Sequence, residues 1–268
     1  DHRRRRREGR VVKTNIEEAR LAIISDLHLG NPFCRARSDI VRFLSDACDQ
    51  GISVCINGDG LDIAQTSVSK LAREVPEVFQ QLSRLSQNGM NVYYVVGNHD
   101  LVLEHFIEAW GLFTVVPFLN LHSGNKRIRI EHGHIYDPFF VHRPGLYEFA
   151  TWAAGLVLNI HPGAYWMWLW FERLRTRIRS GEVIIGGSPA FVEAARMLCD
   201  RGFDVVAFGH THHAELVELG ESKTYVNSGS WLLRPNYIWI EDGEVSVEIW
   251  QRQDGAADPQ QAPFNFER

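Results

Sequence analysis

Short apolar runs that end in hydrogen-bonding or metal-binding side chains recur along the chain, and they constrain the fold more than any other feature. Leu21–Ile24 runs into Ser25-Asp26-Leu27-His28, Ser53–Ile56 into Asn57-Gly58-Asp59, and Val92–Val96 into Gly97-Asn98-His99-Asp100. Ile128–Ile130 runs into Glu131-His132-Gly133-His134, Val205–Phe208 into Gly209-His210-Thr211-His212, and Tyr225-Val226 into Asn227-Ser228-Gly229-Ser230. Brief apolar runs bounded by Gly, Asn and Asp are the pattern of buried strands. Helical spacing lies between them. Ser38 is read as the cap of a segment with Ile40, Phe43, Leu44 and Ala47 on one face, Val68–Gln87 as a second helix, and Pro189–Asp200 as a third with Ser188 as its N-cap. Strands alternating with helices predict a layered α/β domain. Tyr237–Ile240 and Val245–Trp250 flank Asp242-Gly243 and predict a hairpin. No internal repeat is visible.

Composition narrows the class. With 45% hydrophobic and 23% charged residues over 268 positions, the chain has the balance of a globular protein. A formal charge of -5 argues against a dedicated nucleic-acid binder. That sum hides a basic arm, residues 1–19, whose first 13 residues carry a net +5. The arm reads as a solvated start, with contact to anionic lipid or nucleic acid as the alternative. The stretch from Gln251 onward, 251–268, reads as a loose tail. Four cysteines without a CxxC spacing fit a reducing cytosol, and Cys55 and Cys199 read as small buried hydrophobes. Arg3–Arg7 is not followed by the apolar core of a secretion signal. No apolar stretch reaches the roughly 20 residues of a spanning helix. A cytoplasmic protein, soluble or peripheral on the inner face of a membrane, is expected.

The chemistry sits at the strand ends. Asp26, His28, Asp59, Asn98, His132, His210 and His212 form a mixed oxygen and imidazole set suited to Mn, Fe, Zn or Ni. Seven ligands exceed what one tetrahedral ion takes. Two divalent ions sharing Asp59 would use them, and such a pair can activate a water and clamp a phosphoryl oxygen. Taken singly, a Gly-Asp or Gly-Asn pair is an ordinary turn. His134 and His213 read as supporting or surface residues, and His2, His105, His122 and His161 as surface residues.

Asp26-x-His28, Gly58-Asp59, Gly97-Asn98-His99-Asp100, His132-Gly133-His134 and Gly209-His210-Thr211-His212 resemble, in order and spacing, the calcineurin-like metallophosphoesterases. The resemblance covers about residues 20–250. It implies an αββα sandwich, with Asp26, His28, Asp59 and His212 on one metal and Asp59, Asn98, His132 and His210 on the other. Manganese is the first expectation among the metals that the donor set suits. By the same resemblance, His99 would stabilise the transferring phosphoryl group and protonate the leaving oxygen, and Asp100 would orient a neighbouring histidine.

Between His132 and His210 lie 77 residues, more than a crossover needs, and residues 136–188 read as a helical insert. Trp152, Trp166, Trp168 and Trp170 fall within 19 residues there and lead into Arg173, Arg175, Arg177 and Arg179. Indoles followed by basic residues suit a helix at a lipid headgroup boundary. Two readings stay open. One is a lid that holds an acyl chain or docks on a membrane, with Arg143, Trp152, Trp166 and Trp170 as substrate contacts. The other is a hairpin packed on the sheet or on a second subunit of a homodimer. A Trp-rich, Arg-terminated insert before Gly-His-Thr-His is similar to the UDP-2,3-diacylglucosamine hydrolase branch, which implies a lipid-linked pyrophosphate as substrate. The chain departs from that branch at His99, where the branch carries arginine. A phosphodiesterase or phosphatase for a soluble substrate, and a non-catalytic membrane-docked scaffold, are the alternatives.

Overall fold

The computed structural model describes residues 14–29, 34, 36–61, 73, 75–100, 103, 113–143, 145 and 189–251. In chain order the elements are β1 (Asn15–Glu17), β2 (Arg20–Ile24), α1 (Arg37–Asp49), β3 (Ser53–Asn57), α2 (Pro76–Gln87) and β4 (Val92–Val95). They continue with β5 (Thr114–Val116), β6 (Leu119–Ser123), β7 (Lys126–Ile130), α3 (Pro138–His142), α4 (Pro189–Asp200) and β8 (Val205–Phe208). The last four are β9 (Ala214–Gly220), β10 (Lys223–Ser228), β11 (Asn236–Glu241) and β12 (Glu244–Ile249). A 3-10 turn at His134–Tyr136 precedes α3.

Two six-stranded sheets result, ordered β12-β11-β2-β3-β4-β5 and β1-β6-β7-β8-β10-β9. Their central strands are apolar on both faces because each face meets a different layer. In β2, Leu21 and Ile23 point into the space between the sheets, while Ala22 and Ile24 join the core under α1 and α2. β8 divides the same way: Val205 and Ala207 face the other sheet, and Val206 and Phe208 pack against Phe191, Ala195 and Leu198 of α4. The layer order is helices, sheet, sheet, helix, the αββα sandwich expected from the sequence.

The helices follow the 3.6-residue period of their apolar faces. α1 buries Ile40, Phe43, Leu44 and Ala47, and α2 buries Val78, Leu82 and Leu85. An ion pair between Arg37 and Glu77 ties their ends together. Two boundaries differ from the sequence reading. α1 starts at Arg37 after Ala36, so Ser38 lies in its first turn and Ala36, not Ser38, holds the N-cap position. α2 starts at Pro76, because Val75 is non-helical (φ -129°, ψ 46°) and Pro76 occupies the first helical position, where its missing N–H costs no hydrogen bond. Residues 68–72 and 74 of that expectation lie outside the described residues, as does Ser188. The β11–β12 hairpin forms as expected, turning on Asp242 (φ 48°) and Gly243 (φ 87°). Cys55 and Cys199 are buried. Among the described residues no helix is long and apolar enough to cross a membrane.

Candidate metal centre

Parallel pairing of β2 with β3 and β3 with β4, and of β7 with β8, brings five strand ends to one edge of the sandwich. One sheet delivers Asp26, His28, Asp59, Asn98 and His99; the other delivers His132, His210 and His212. The two halves are stitched at the seam. Asn57 Nδ2 donates to the Glu131 carbonyl (2.9 Å), and His132 Nδ1 donates back to the Asn57 carbonyl (2.8 Å). The loops after β2 and β3 stay paired beyond their strands, through Asp26 N to Gly58 O (3.1 Å) and His28 N to Asp59 O (2.9 Å).

Backbone geometry aims these side chains. Asp26, His28, Asp59, His210 and His212 all have positive φ, between 48° and 65°. Asp and His enter that left-handed region more readily than most residues, yet it is uncommon for any non-glycine. The intervening glycines permit close approach. A Cβ on Gly58 would sit 2.2 Å from His132 Nδ1, and one on Gly97 would sit 2.2 Å from Asp59 Oδ1.

Two groups of candidate ligand atoms form, Asp26 with His28 and His212, and Asp59 with His132 and His210. In the second, His132 Nε2 lies 3.3 Å from Asp59 Oδ2 and 3.2 Å from Asn98 Oδ1, and His210 Nδ1 lies 2.9 Å from that same Asn98 oxygen. With its Nδ1–H committed to Asn57, His132 in its neutral form would turn a lone pair toward these oxygens. His210 does likewise, its Nε2 lying 3.0 Å from Asp137 Oδ2. Lone pairs converging on one point are what a cation requires. In the first group, Asp26 Oδ1 is buried with no hydrogen-bond partner and has His212 Nε2 at 3.3 Å. Asp26 Oδ2 is held by the Ser25 hydroxyl (2.5 Å) and the His210 amide (3.2 Å).

The electrostatics agree. Burial opposes ionisation of both Asp26 and Asp59. His212 and His132 overcome it at Asp26, and His132 and His99 overcome it at Asp59, so both carboxyls stay below their ordinary range. His132 is pushed up to about 9, against its own burial, by the Asp59 carboxylate. Two buried carboxylates thus draw positive charge into the site, and a divalent ion satisfies that demand more fully than one imidazolium. The donor set and the buried Asp26 Oδ1, which no hydrogen bond satisfies, both fit metal.

His99 lies beside these groups. Its amide donates to Asp59 Oδ1 (2.9 Å), its Nε2 is 4.0 Å from Asp59 Oδ2, and its ring meets His28 edge-on at 5.1 Å. Asp100, expected to orient a histidine, is buried beside this group. Its Oδ2 accepts from Tyr94 OH (2.7 Å) and Gly60 N (3.2 Å), so it braces the Asp59 loop. Burial, then Asp59, pushes its carboxyl well above the usual range. His134 is a half-buried ring against His132 and Phe140, held down to about 3 by burial and by His132. His213 is half-buried and His122 exposed. Arg143 is exposed at the end of α3, six residues past the Asp137 that reaches His210, and among the described residues nothing brings it to the candidate ligands. Trp152, Trp166, Trp168 and Trp170, with most of the 136–188 insert, lie outside the described residues, as do His2, His105 and His161. So do the arm up to residue 13 and the tail from residue 252.

Sequence reasoning missed the residues that hold the ligands. Asn227 Nδ2 donates to the Gly209 carbonyl (2.8 Å), Ser228 Oγ meets Ser25 Oγ (2.7 Å), and Ser230 Oγ donates to the Asp26 carbonyl (3.0 Å). The strand-end Asn-Ser-Gly-Ser was a visible signal for them. Asp137, before Pro138, carried only the signal of a helix cap.

Comparisons with known proteins bear on this edge. The family profile described as calcineurin-like phosphoesterase matches residues 19–214. A UDP-2,3-diacylglucosamine hydrolase from Neisseria meningitidis is 27% identical over 248 residues, 84% of this chain and 95% of the relative. One from Aeromonas salmonicida is 22% identical over 84% of this chain and 91% of its own length. Among solved structures, a dimetal phosphatase from Danio rerio is similar at 12% identity and a TM-score of 0.47, covering 86% of this chain and 95% of that one.

Proposed function

The chain belongs to the calcineurin-like phosphoesterase family and is a phosphoester hydrolase, and we propose that it uses a metal pair to cleave the pyrophosphate of a lipid-linked nucleotide such as UDP-2,3-diacylglucosamine. The observation that carries the metal pair is the convergence of Asn98 Oδ1, His132 Nε2 and His210 Nδ1 beside Asp59, next to a buried Asp26 oxygen that no hydrogen bond satisfies. Asp26, His28, Asp59 and His212 would hold one ion, and Asp59, Asn98, His132 and His210 the other, with manganese our first choice. Divalent ions held by these residues would supply Lewis-acid charge and a water of lowered pKa.

The residues do the rest. Asn57 and Asp137 fix which nitrogen His132 and His210 present. Ser25 and the His210 amide hold one Asp26 oxygen, so the other faces the site. On this reading His99 would protonate the departing oxygen. The substrate reading is supported by the names and coverage of the relatives and by the Trp-rich segment ending in Arg173, Arg175, Arg177 and Arg179. On this reading that segment takes up acyl chains at a membrane surface, with Arg143, Trp152, Trp166 and Trp170 as contacts.

A second reading, a phosphodiesterase or phosphatase for a soluble substrate with the insert used for dimerisation, is favoured by one feature: His99 where the lipid branch carries arginine. Incubation with Mn²⁺ and UDP-2,3-diacylglucosamine, with Asp59→Ala as control, separates them. Release of UMP by the unmutated protein alone is expected. No UMP alongside turnover of an aryl phosphodiester would leave the soluble substrate standing.

A further inference from the structure

One carboxylate outside both candidate ligand groups reaches a ligand directly. Asp137 Oδ1 accepts the Phe139 amide (2.8 Å) and so caps α3, while Oδ2 lies 3.0 Å from His210 Nε2. His210 has two ring nitrogens, and its other, Nδ1, faces Asn98 Oδ1 at 2.9 Å, where the candidate ligand atoms converge. A neutral imidazole carries one N–H and one lone pair, and the partner of the first decides where the second points. The aspartate is an acceptor on both oxygens, so His210 Nε2 must be the donor.

We propose that Asp137 is a positioning residue for His210: it holds the ring in the Nε2–H tautomer, leaves the Nδ1 lone pair for the second ion, and thereby ties the first turn of the segment after β7 to the metal centre. This inference rests on the dinuclear reading above. The link has geometric content. Asp137 ends the 3-10 turn that follows His132-Gly133, so the same short stretch carries one candidate ligand at its start and the orienting group of another at its end. Phe191 of α4 stacks on the His210 ring, with centroids 6.0 Å apart and planes 19° apart. The imidazole is clamped on one face and held at one nitrogen, and only Nδ1 is left to the site. A carboxylate behind a ligating histidine ordinarily changes metal affinity by 10–100-fold when removed.

Capping and positioning can be separated. In Asp137→Asn the amide oxygen still accepts from Phe139 N, since Asn caps as well as Asp. Its NH₂ then faces His210 Nε2, which must become the acceptor and move its proton to Nδ1. Asp137→Ser also keeps a capping oxygen but is too short to reach the ring. Mn²⁺ binding to the full chain is measured by titration calorimetry, with the electron paramagnetic resonance spectrum reporting whether two ions are magnetically coupled. The expected result is a 10–100-fold weaker second ion in both variants, an unchanged first ion, and replacement of the coupled-pair spectrum by that of isolated Mn²⁺. The unchanged first ion shows that the variants are folded. Two ions bound as tightly as before, with the coupled spectrum intact in Asp137→Asn, would overturn the inference and leave Asp137 as a helix cap. Fewer than two ions in the unmutated protein would overturn the dinuclear reading and this inference with it.

Discussion

Gly97→Ala is the sharpest test of how closely the strand ends are fitted together. Gly97 does not have positive φ, so alanine meets no backbone strain there, and the whole effect is steric. The added Cβ would lie 2.2 Å from Asp59 Oδ1, 2.4 Å from Asp59 N and 3.0 Å from Asp59 Cγ. Real Cβ contacts essentially never fall under 3.0 Å, so the carboxylate and the Asp59 backbone must withdraw by at least about 0.6–0.8 Å. A rotamer change cannot relieve the clash with the amide nitrogen. The loop after β3 or the loop after β4 has to move, and the His99 N to Asp59 Oδ1 hydrogen bond of 2.9 Å goes with it. Metal coordination tolerates only ~0.2 Å of misplacement, and an error near 1 Å in a catalytic group costs about 100-fold in rate. Gly97→Ala is therefore expected to lose at least one ion per chain by elemental analysis and about 100-fold in hydrolysis of an aryl phosphodiester. Overpacking should cost about 1–3 kcal/mol, visible as a fall of several degrees in Tm. A variant that keeps two ions and activity within threefold would refute the claim that Gly97 is required by the approach of Asp59.

Two further outcomes follow from the same geometry. His99→Gln keeps a side chain beside Asp59 but cannot protonate a leaving oxygen, so kcat should fall 10²–10⁴-fold with metal content unchanged; the loss should be smaller for nitrophenolate, which departs without a proton, and equal losses for good and poor leaving groups would contradict the role. Burial and Asp59 hold the Asp100 carboxyl well above the usual range, so the stability it contributes in the metal-free protein is present in full below the ordinary carboxylate range and is lost as pH rises through its raised folded value. Asp100→Asn should therefore flatten the decline of Tm with rising pH in the presence of chelator, and an unchanged pH profile would show the carboxyl to be ionised.

The candidate ligands were legible because chemistry and strand end are adjacent in the chain: a buried parallel strand reads as an apolar run, and its loop supplies the Asp or His. What adjacency cannot carry was missed. Asp100 accepts from Tyr94 and Gly60, and the Gly-Asn-His-Asp motif announces neither contact. Asp137 meets His210 across 73 positions, and no local pattern announces that pairing. β1 and β5 are three residues long, too short for a period, and β9 is half-exposed, with no apolar run to mark it. Pro76 was a readable start that a longer helical pattern masked.

The left-handed backbone at Asp26, His28, Asp59, His210 and His212 makes the site a store of conformational energy. At about 1 kcal/mol each, the five positions together hold about 5 kcal/mol, comparable with the lower end of a domain's whole stability. Glycine would relieve that strain at any of them and would bind nothing. Selection for thermal robustness and selection for hydrolysis therefore pull these five codons in opposite directions. A relative freed from catalysis should drift toward glycine at these loop positions while its sandwich stays intact.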